Sequence, residues 1–253
     1  MTTKIAVFLM ADYGHDPTET AIPYKVFDEA GIQISFATEK GSPVACDSKM
    51  LTGWTQKMLG ADAGAIAAYN EMSQSKEWQS PVSYSDAKFT LLNYDLVFLP
   101  GGHEKGVRQL LDSKRAQELV VEYFANLKKP STKVCAAVCH GVQLLAHSKR
   151  ADGKSVLHDL STTALPSVFE NTVDYGTRVF LGDYYKTYGA GTKNVEQIVR
   201  DALADPARQW KSSGNPGAPF VVEDEKHNYV SGRWPGDAEV LAKRTVELLF
   251  KKR

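Results

Sequence analysis

Short apolar runs without polar alternation are the feature that most restricts the fold of this chain. Ile5–Leu9 (IAVFL) and Leu96–Leu99 (LVFL) place β-branched and aromatic residues side by side, as expected for strands covered on both faces. Segments with helical apolar spacing follow such runs, for example Glu19–Ala30, which Gly31 closes. Strands that alternate with helices predict an α/β fold, with a doubly wound, mostly parallel sheet and helices on both faces.

The remaining predicted elements continue this alternation along a single domain of residues 1–253. They are strands Ile32–Ala37 and Lys133–Val138, helices Arg115–Leu127, Gly141–His147 and Ala238–Phe250, and a final hairpin of Phe220–Val222 with Asn228–Ser231. Residues 46–86 interrupt the alternation with Trp54 and a helical segment, Gly60–Tyr69, and predict an inserted cap. Residues 201–219 contain three prolines and predict a surface excursion.

Composition and charge exclude several classes of partner. Lys plus Arg and Asp plus Glu both number 30, so neither nucleic acid nor an anionic membrane is favoured. No apolar run approaches the roughly 20 residues that span a bilayer, and residues 1–10 do not read as a signal peptide. The three cysteines lack disulfide or zinc spacing, and Cys135 is predicted to fill the core. We therefore expect a cytoplasmic protein with no metal and no other cofactor.

The segment Val134–Gly141 (VCAAVCHG) carries the main candidate site. A strand that turns sharply into a helix strains the turn residue and exposes its side chain, here that of Cys139. The N-terminus of the following helix would favour thiolate over thiol. The N–H of His140 would then point at the anion formed when sulfur attacks a carbonyl. For these residues alone, a buried structural cysteine is an equally good interpretation.

Two distant segments are predicted to reach the same edge of the sheet. Residues 100–103 (PGGH) follow the strand Leu96–Leu99, and ligands gather at the carboxyl ends of strands in open α/β sheets. Glu19 lies at the start of the first helix, where its carboxyl could share a proton with the sulfur. The predicted site consists of Cys139, Glu19 and His140 as catalytic residues, with Gly101, Gly102 and His103 as oxyanion and substrate-binding residues. A supporting role for His140 is as good an interpretation as a role as base, and His103 could instead cap or pack its loop.

Together these motifs resemble the ThiJ/PfpI superfamily, which shares a flavodoxin-like fold with class I glutamine amidotransferases. The resemblance is carried by Glu19-Thr20-Ala21-Ile22-Pro23, Leu99-Pro100-Gly101-Gly102, Ala136-Ala137-Val138-Cys139-His140-Gly141, Gly153-Lys154-Ser155-Val156 and Ser231-Gly232-Arg233-Trp234-Pro235. The Gly102-His103 step and the insertion with Trp54 look like the heat-shock branch, which has glutathione-independent glyoxalase activity. The resemblance implies Cys139 as nucleophile, Glu19 as acid and base, a small carbonyl substrate and a homodimer.

The sequence departs from the branch at positions near the expected pocket. Glu104 follows His103 where branch members usually have glycine, and Asp237 stands where small residues are usual. The carboxylate that often orients the family's histidine has no clear counterpart in Thr162–Pro166. The other candidates for that role are Glu170, Asp174 and Asp183.

Several alternatives stay open at this point. A metal held by His15, Asp16 and His103 fits no common ligand spacing. The cluster Tyr184, Tyr185 and Tyr188 could pack internally, line the pocket or form a dimer surface. The alternatives to a glyoxalase are a hydrolase, hydratase or decarboxylase for a dedicated metabolite, and a redox sensor or holdase chaperone.

Overall fold

The computed structural model describes residues 3–213, 215 and 217–251. Residues 1 and 2 of the segment considered as a signal peptide, and residues 214 and 216 of the predicted surface excursion, lie outside the described residues. In chain order the elements are β1 (Ile5–Leu9), β2 (Tyr13–His15), α1 (Pro17–Glu29), β3 (Gln33–Thr38), β4 (Ala45–Cys46), α2 (Ser48–Leu51), α3 (Gly53–Leu59), α4 (Ala63–Ser73), α5 (Lys76–Gln79), β5 (Val82–Ser83), β6 (Leu96–Leu99), α6 (Arg108–Leu111), α7 (Lys114–Phe124), β7 (Val134–Val138), α8 (Gly141–His147), α9 (Ser167–Leu181), α10 (Val195–Asp201), α11 (Pro206–Gln209), β8 (Val221–Glu223), β9 (Tyr229–Gly232) and α12 (Ala238–Phe250).

The central sheet has seven strands in the order β5-β3-β1-β6-β7-β9-β8. Neighbouring strands are parallel except β8 and β9, which form the predicted antiparallel hairpin. A separate two-stranded parallel sheet joins β2 to β4. The predicted doubly wound, mostly parallel α/β fold is therefore confirmed. Because β1, β6 and β7 are adjacent and parallel, the loops after their carboxyl ends meet at one edge of the sheet.

Both faces of the sheet are buried, which explains why the strands lack alternation. Phe8 and Phe98 face the layer of α1 and α12, with their ring centroids 4.8 Å apart. The preceding residues, Val7 and Val97, face the opposite layer, which contains α7 and α8. Each strand thus places successive side chains in two different apolar cores, and helices cover both faces as predicted.

The segment 46–86 is only partly a cap. Its first helices contribute Met50 and Leu59 to the wall of the cavity described below. The rest belongs to the body of the fold, because α4 packs along α1, β5 extends the central sheet, and the Trp78 ring packs edge-on against Phe36 at 5.0 Å. Trp54 is 50% exposed and does not line the cavity.

The segment 201–219 is a surface excursion that is anchored at several points. Trp210 is buried in the core layer of α7 and α8 and pairs with Thr162 in an isolated bridge. Carbonyl oxygens of Ser213 and Ala218 accept hydrogen bonds from the buried Arg233 guanidinium. The excursion therefore helps to fix the loop that follows β9.

Candidate active site

The chain makes the predicted sharp turn between β7 and α8. Cys139 has a φ of 55°, the one positive value at a non-glycine position among the described residues. Its N–H donates to the Gly232 carbonyl at 3.1 Å, and its own carbonyl accepts from Val142 N at 3.3 Å. A side chain in this left-handed region costs on the order of 1 kcal/mol, so the surrounding structure must hold the turn in place.

Two glycines allow the turn between β7 and α8, called the elbow below, to pack closely against neighbouring segments. A Cβ atom on Gly141 would lie 2.3 Å from the Leu99 carbonyl oxygen, so only glycine lets α8 start against the end of β6. A Cβ atom on Gly101 would lie 2.3 Å from Glu19 Oε2 and 2.7 Å from Cys139 Cβ. The Glu19 carboxyl and the Cys139 side chain therefore flank the same small space next to Gly101.

Glu19 is completely buried at the start of α1. Asp16 caps this helix, its Oδ1 accepting from Thr18 N at 2.8 Å and Glu19 N at 3.0 Å. Neither Glu19 carboxyl oxygen has a hydrogen-bond partner of ordinary geometry among residues that the structure describes. Burial, and then the charge of Asp16, hold the pKa of Glu19 well above its ordinary value. Burial also raises the pKa of Asp16 to about 6.

The Cys139 thiol lines the same cavity and is 6% exposed. Burial raises its pKa well above the ordinary value, and the carboxylates of Glu19 and Asp16 raise it further. The backbone N–H of His140 lowers the pKa, but its effect is smaller. The sequence-based expectation of a depressed thiol pKa is therefore wrong for this site: desolvation and negative charge outweigh the helix N-terminus.

His140 contacts the thiol directly. Its Nδ1 lies 3.3 Å from Cys139 Sγ, and the residue is 2% exposed. Burial lowers the pKa of His140 well below its ordinary value, and the proximity of His103 and Lys186 lowers it further. The imidazole is therefore neutral, and Nδ1 can accept the proton of the thiol.

None of the three candidate carboxylates orients His140. Glu170 lines the cavity, but its oxygens accept from Lys186 Nζ at 3.0 Å and Val195 N at 2.9 Å. Asp183 bonds the surface Lys105. Asp174 is buried, and its Oδ1 has no partner in the described part of the chain. Cys139 therefore contacts His140, but none of these three carboxylates forms a hydrogen bond with the His140 ring.

Gly102 and His103, which follow β6, both line the cavity. The His103 ring stacks on Tyr185 at 4.3 Å between centroids and meets Tyr184 edge-on at 4.7 Å. Tyr184 in turn donates a hydrogen bond to Asp47. Burial, and then the charge of Lys49, lower the pKa of His103 to about 3, so this imidazole is neutral as well.

The cavity has a volume of about 260 Å³. It contains five of the six predicted site residues, and the sixth, Gly101, packs directly behind Glu19 and Cys139. The lining residues are Asp16, Glu19, Met50, Leu59, Gly102, His103, Cys139, His140, Leu165, Phe169, Glu170, Val173, Tyr185, Trp234 and Pro235. Asp16, Glu170, Tyr185, Trp234 and Pro235 were named from the sequence for other reasons. Sequence reasoning missed the aliphatic and aromatic residues Met50, Leu59, Leu165, Phe169 and Val173.

The two departures from the family pattern have structural roles. Glu104 precedes the 3₁₀ turn Lys105–Val107, where its side chain accepts from Gly106 N, and it does not line the cavity. Asp237 is fully buried and binds Arg233 through two side-chain hydrogen bonds of 2.8 Å. The Arg233 guanidinium lies 4.4 Å from the centre of the Trp234 ring. Asp237 therefore supports a wall of the cavity from behind.

Asp237→Asn is expected to destabilise the protein by about 3–5 kcal/mol, because it leaves the buried Arg233 guanidinium without its counter-charge. Thermal unfolding followed by circular dichroism should show a melting temperature lower by roughly 10 °C. The matched control is Lys243→Gln, which breaks an ion pair of the same i, i+4 spacing on the surface of α12. Equal small shifts for both variants would show that the buried pair contributes no more than an exposed one.

The metal interpretation receives no support from the positions of its proposed ligands. His15 Nε2 accepts from Ala11 N at 2.8 Å and its Nδ1 lies 3.0 Å from the Gly101 carbonyl, so both ring nitrogens have partners. Within residues 3–213, 215 and 217–251, no three His, Cys, Asp or Glu side chains form a group able to hold a metal ion. No helix in the same ranges has the length and apolar character needed to cross a bilayer.

The fold and the turn at residue 139 place this chain among the α/β proteins that carry a cysteine at a strand-to-helix elbow. A family model described as ThiJ/PfpI family-like matches residues 10–230, and the chain belongs to this family. An uncharacterised Schizosaccharomyces pombe protein, C14C4.04, is 30% identical over 96% of this chain and 82% of its own length.

Two further relatives carry functional names. The glutathione-independent glyoxalase hsp3102 of Schizosaccharomyces pombe is 27% identical over 92% of this chain and 87% of its own length. The crystal structure of glyoxalase III from Candida albicans superimposes with a TM-score of 0.69 at 17% identity, covering 98% of both chains. The structural match shows a shared fold. The sequence match to hsp3102 confirms that this chain is related to the glyoxalase branch.

Proposed function

We propose that this protein is an enzyme that converts methylglyoxal to lactate without glutathione, with Cys139 as the nucleophile. The observation that carries the proposal is the shared cavity of Cys139 and Glu19, in which a strained cysteine faces a buried carboxyl. The relative named as a glutathione-independent glyoxalase supports the same reaction type. In this mechanism the protein's thiol takes the place that glutathione would otherwise fill.

The first step is addition of sulfur to the aldehyde carbon. Because the thiol and the carboxyl both rest protonated, two proton transfers accompany the C–S bond. The neutral His140 accepts the thiol proton, and Glu19 gives its proton to the aldehyde oxygen, forming a hemithioacetal. The N–H groups of Gly102 and His103, which have no acceptor among the described residues, are the proposed donors to that oxygen.

The second step moves a proton between the two carbons. Glu19, now a carboxylate, removes the proton on the carbon bonded to sulfur, and His140 returns a proton to the neighbouring ketone oxygen, giving an enediol. The enediol takes up a proton at the second carbon and loses its hydroxyl proton to become a hydroxyacyl thioester. Water then cleaves the thioester, which releases the hydroxy acid and regenerates the thiol. Glu19 therefore acts first as acid and then as base, a sequence that suits its raised pKa.

A cysteine hydrolase for a neutral ester or thioester is the second candidate. It is supported by the 3.3 Å contact between Cys139 Sγ and His140 Nδ1. A decarboxylase for an oxo acid fits less well, because the lining residues include three carboxyls and no Lys or Arg. Redox sensing also fits less well, because a buried thiol with a raised pKa supplies little of the thiolate that reacts with oxidants.

The test is an assay of the purified protein with methylglyoxal in the absence of any added thiol. We expect lactate to form at a rate proportional to protein concentration, and intact-mass spectrometry to detect a transient adduct on Cys139. The same preparation is assayed against neutral esters and thioesters. Ester cleavage without lactate formation would replace the glyoxalase proposal with the hydrolase.

The homodimer and the cytoplasmic location expected from the sequence stay predictions. A sedimentation measurement on the purified protein checks the first of them.

A further inference from the structure

The cavity is lined by two chemically different sets of residues. One set carries the reacting groups of Cys139, Glu19 and His140. The other set is apolar and aromatic and includes Met50, Leu59, Leu165, Phe169, Val173 and Trp234. A substrate that places its carbonyl at the sulfur therefore has apolar side chains available for the rest of its structure.

The size of the cavity exceeds the needs of a three-carbon substrate. Its volume of about 260 Å³ corresponds to the space of roughly eight water molecules in the liquid. Methylglyoxal at the Cys139 thiol would leave most of these apolar side chains without a partner. A larger apolar substituent would bind more tightly because it buries more apolar surface there.

The charge of the lining residues restricts the substrate further. Asp16, Glu19 and Glu170 bring three carboxyls to the cavity, and no Lys or Arg is among its lining residues. Lys186 lies behind Glu170 and is engaged by that carboxylate and by Asn171 Oδ1 at 3.2 Å. An anionic substrate would find no cationic side chain in this lining and would lose its hydration beside carboxyl groups, so a neutral substrate is favoured.

The apolar wall is held by contacts among its own residues. Phe169 on α9 meets the Trp234 ring edge-on, with 4.0 Å between centroids. The guanidinium of the buried Arg233–Asp237 pair packs on the Trp234 ring. Val173 lies one helical turn beyond Phe169 on the same face of α9. Because these contacts restrict the side chains of the wall, binding against them carries a small ordering cost.

We infer that the preferred substrates are neutral 2-oxoaldehydes with an aryl or medium-length alkyl substituent, and that Phe169, Val173 and Trp234 bind that substituent. The inference rests on the proposed function for the identity of the reacting group. The apolar subsite itself does not depend on which reaction Cys139 carries out.

The first measurement compares kcat/KM for phenylglyoxal and methylglyoxal. We expect a ratio of about 10 or more in favour of phenylglyoxal. Val173→Asn should lower this ratio by about 5-fold or more, because it puts an amide in the apolar wall. The matched control is Val179→Asn, the same change on the same helix at a side chain that is 87% exposed, and it should leave the ratio unchanged. A wild-type ratio near 1 would overturn the inference.

The second measurement separates failure of the subsite from failure of the proposed function. Phenacyl bromide and bromoacetone both alkylate thiols: a C–S bond forms, bromide leaves and the thiol proton goes to solvent. Intact-mass spectrometry gives the rate at which each reagent alkylates Cys139. Each of these rates is divided by the rate at which the same reagent alkylates free cysteine. We expect phenacyl bromide to be favoured about 10-fold after this correction. If neither oxoaldehyde is turned over but this preference is present, the glyoxalase proposal fails and the subsite stands; without the preference, the subsite is wrong.

Discussion

Cys139→Ala is expected to lower kcat/KM for methylglyoxal by roughly 10⁴-fold or more, because no other group in the cavity can form the covalent intermediate. The change removes one sulfur atom from a site that is already strained, so the variant should fold and melt cooperatively. The measurement is lactate formation in the absence of added thiol, with circular dichroism to check the fold.

The matched control is Cys135→Ala, four residues earlier in β7. Cys135 is fully buried and faces the opposite core layer from the elbow, and it fills the core as predicted. Its replacement should reduce stability slightly and leave turnover unchanged. Full activity of Cys139→Ala would rule out covalent catalysis at this site, whatever the behaviour of the control.

Glu19→Gln is expected to lower kcat by roughly 10²–10⁴-fold while the chain stays folded. Glutamine has the shape and hydrogen-bonding groups of a protonated carboxyl, so it preserves packing but cannot transfer a proton. Glu29→Gln at the exposed end of α1 is the matched control and should leave kcat unchanged. Wild-type turnover by Glu19→Gln would assign the proton transfer between carbons to another group.

The same pair of variants gives a pH-dependent stability prediction. The pKa of Glu19 is raised in the folded protein, so the folded state binds more protons than the unfolded state above the ordinary carboxyl pKa. Its contribution to stability is therefore complete below that pKa and is lost as the pH rises towards the folded value. Since glutamine does not ionise, Glu19→Gln should have a higher melting temperature than the wild type at pH 8, and the difference should shrink at pH 4. A difference that grows on acidification would contradict the raised pKa.

The fold was predictable because its signals are local. β1 and β6 occur at the predicted bounds, and α8 begins directly after the predicted turn. A strand buried on both faces requires a continuous apolar run, and that requirement can be read from neighbouring residues without knowing their partners. The elbow was predictable for the same reason, because Cys139 and its small neighbours are adjacent in sequence.

The cavity wall was not predictable because it is assembled from distant segments. Helix α9 supplies Phe169 and Val173 to the cavity. Its buried residues are the polar Glu170, Asp174 and Thr177, whereas Val168, Val179 and Phe180 are exposed, so its apolar residues do not mark the face that packs inward. The thiol pKa was mispredicted for a related reason. The helix N-terminus at His140 is visible in the sequence, whereas the desolvation of Cys139 arises only when the surrounding elements close over it.

The left-handed backbone at residue 139 has an evolutionary consequence. Glycine would adopt that conformation freely, so backbone strain alone favours glycine there, and under the proposed function the reactivity of sulfur is what retains cysteine. A relative that lost the proposed activity could therefore replace this cysteine with glycine and relieve the strain. Under the proposed function, the residue at this position is then a better guide to activity in a relative than its melting temperature.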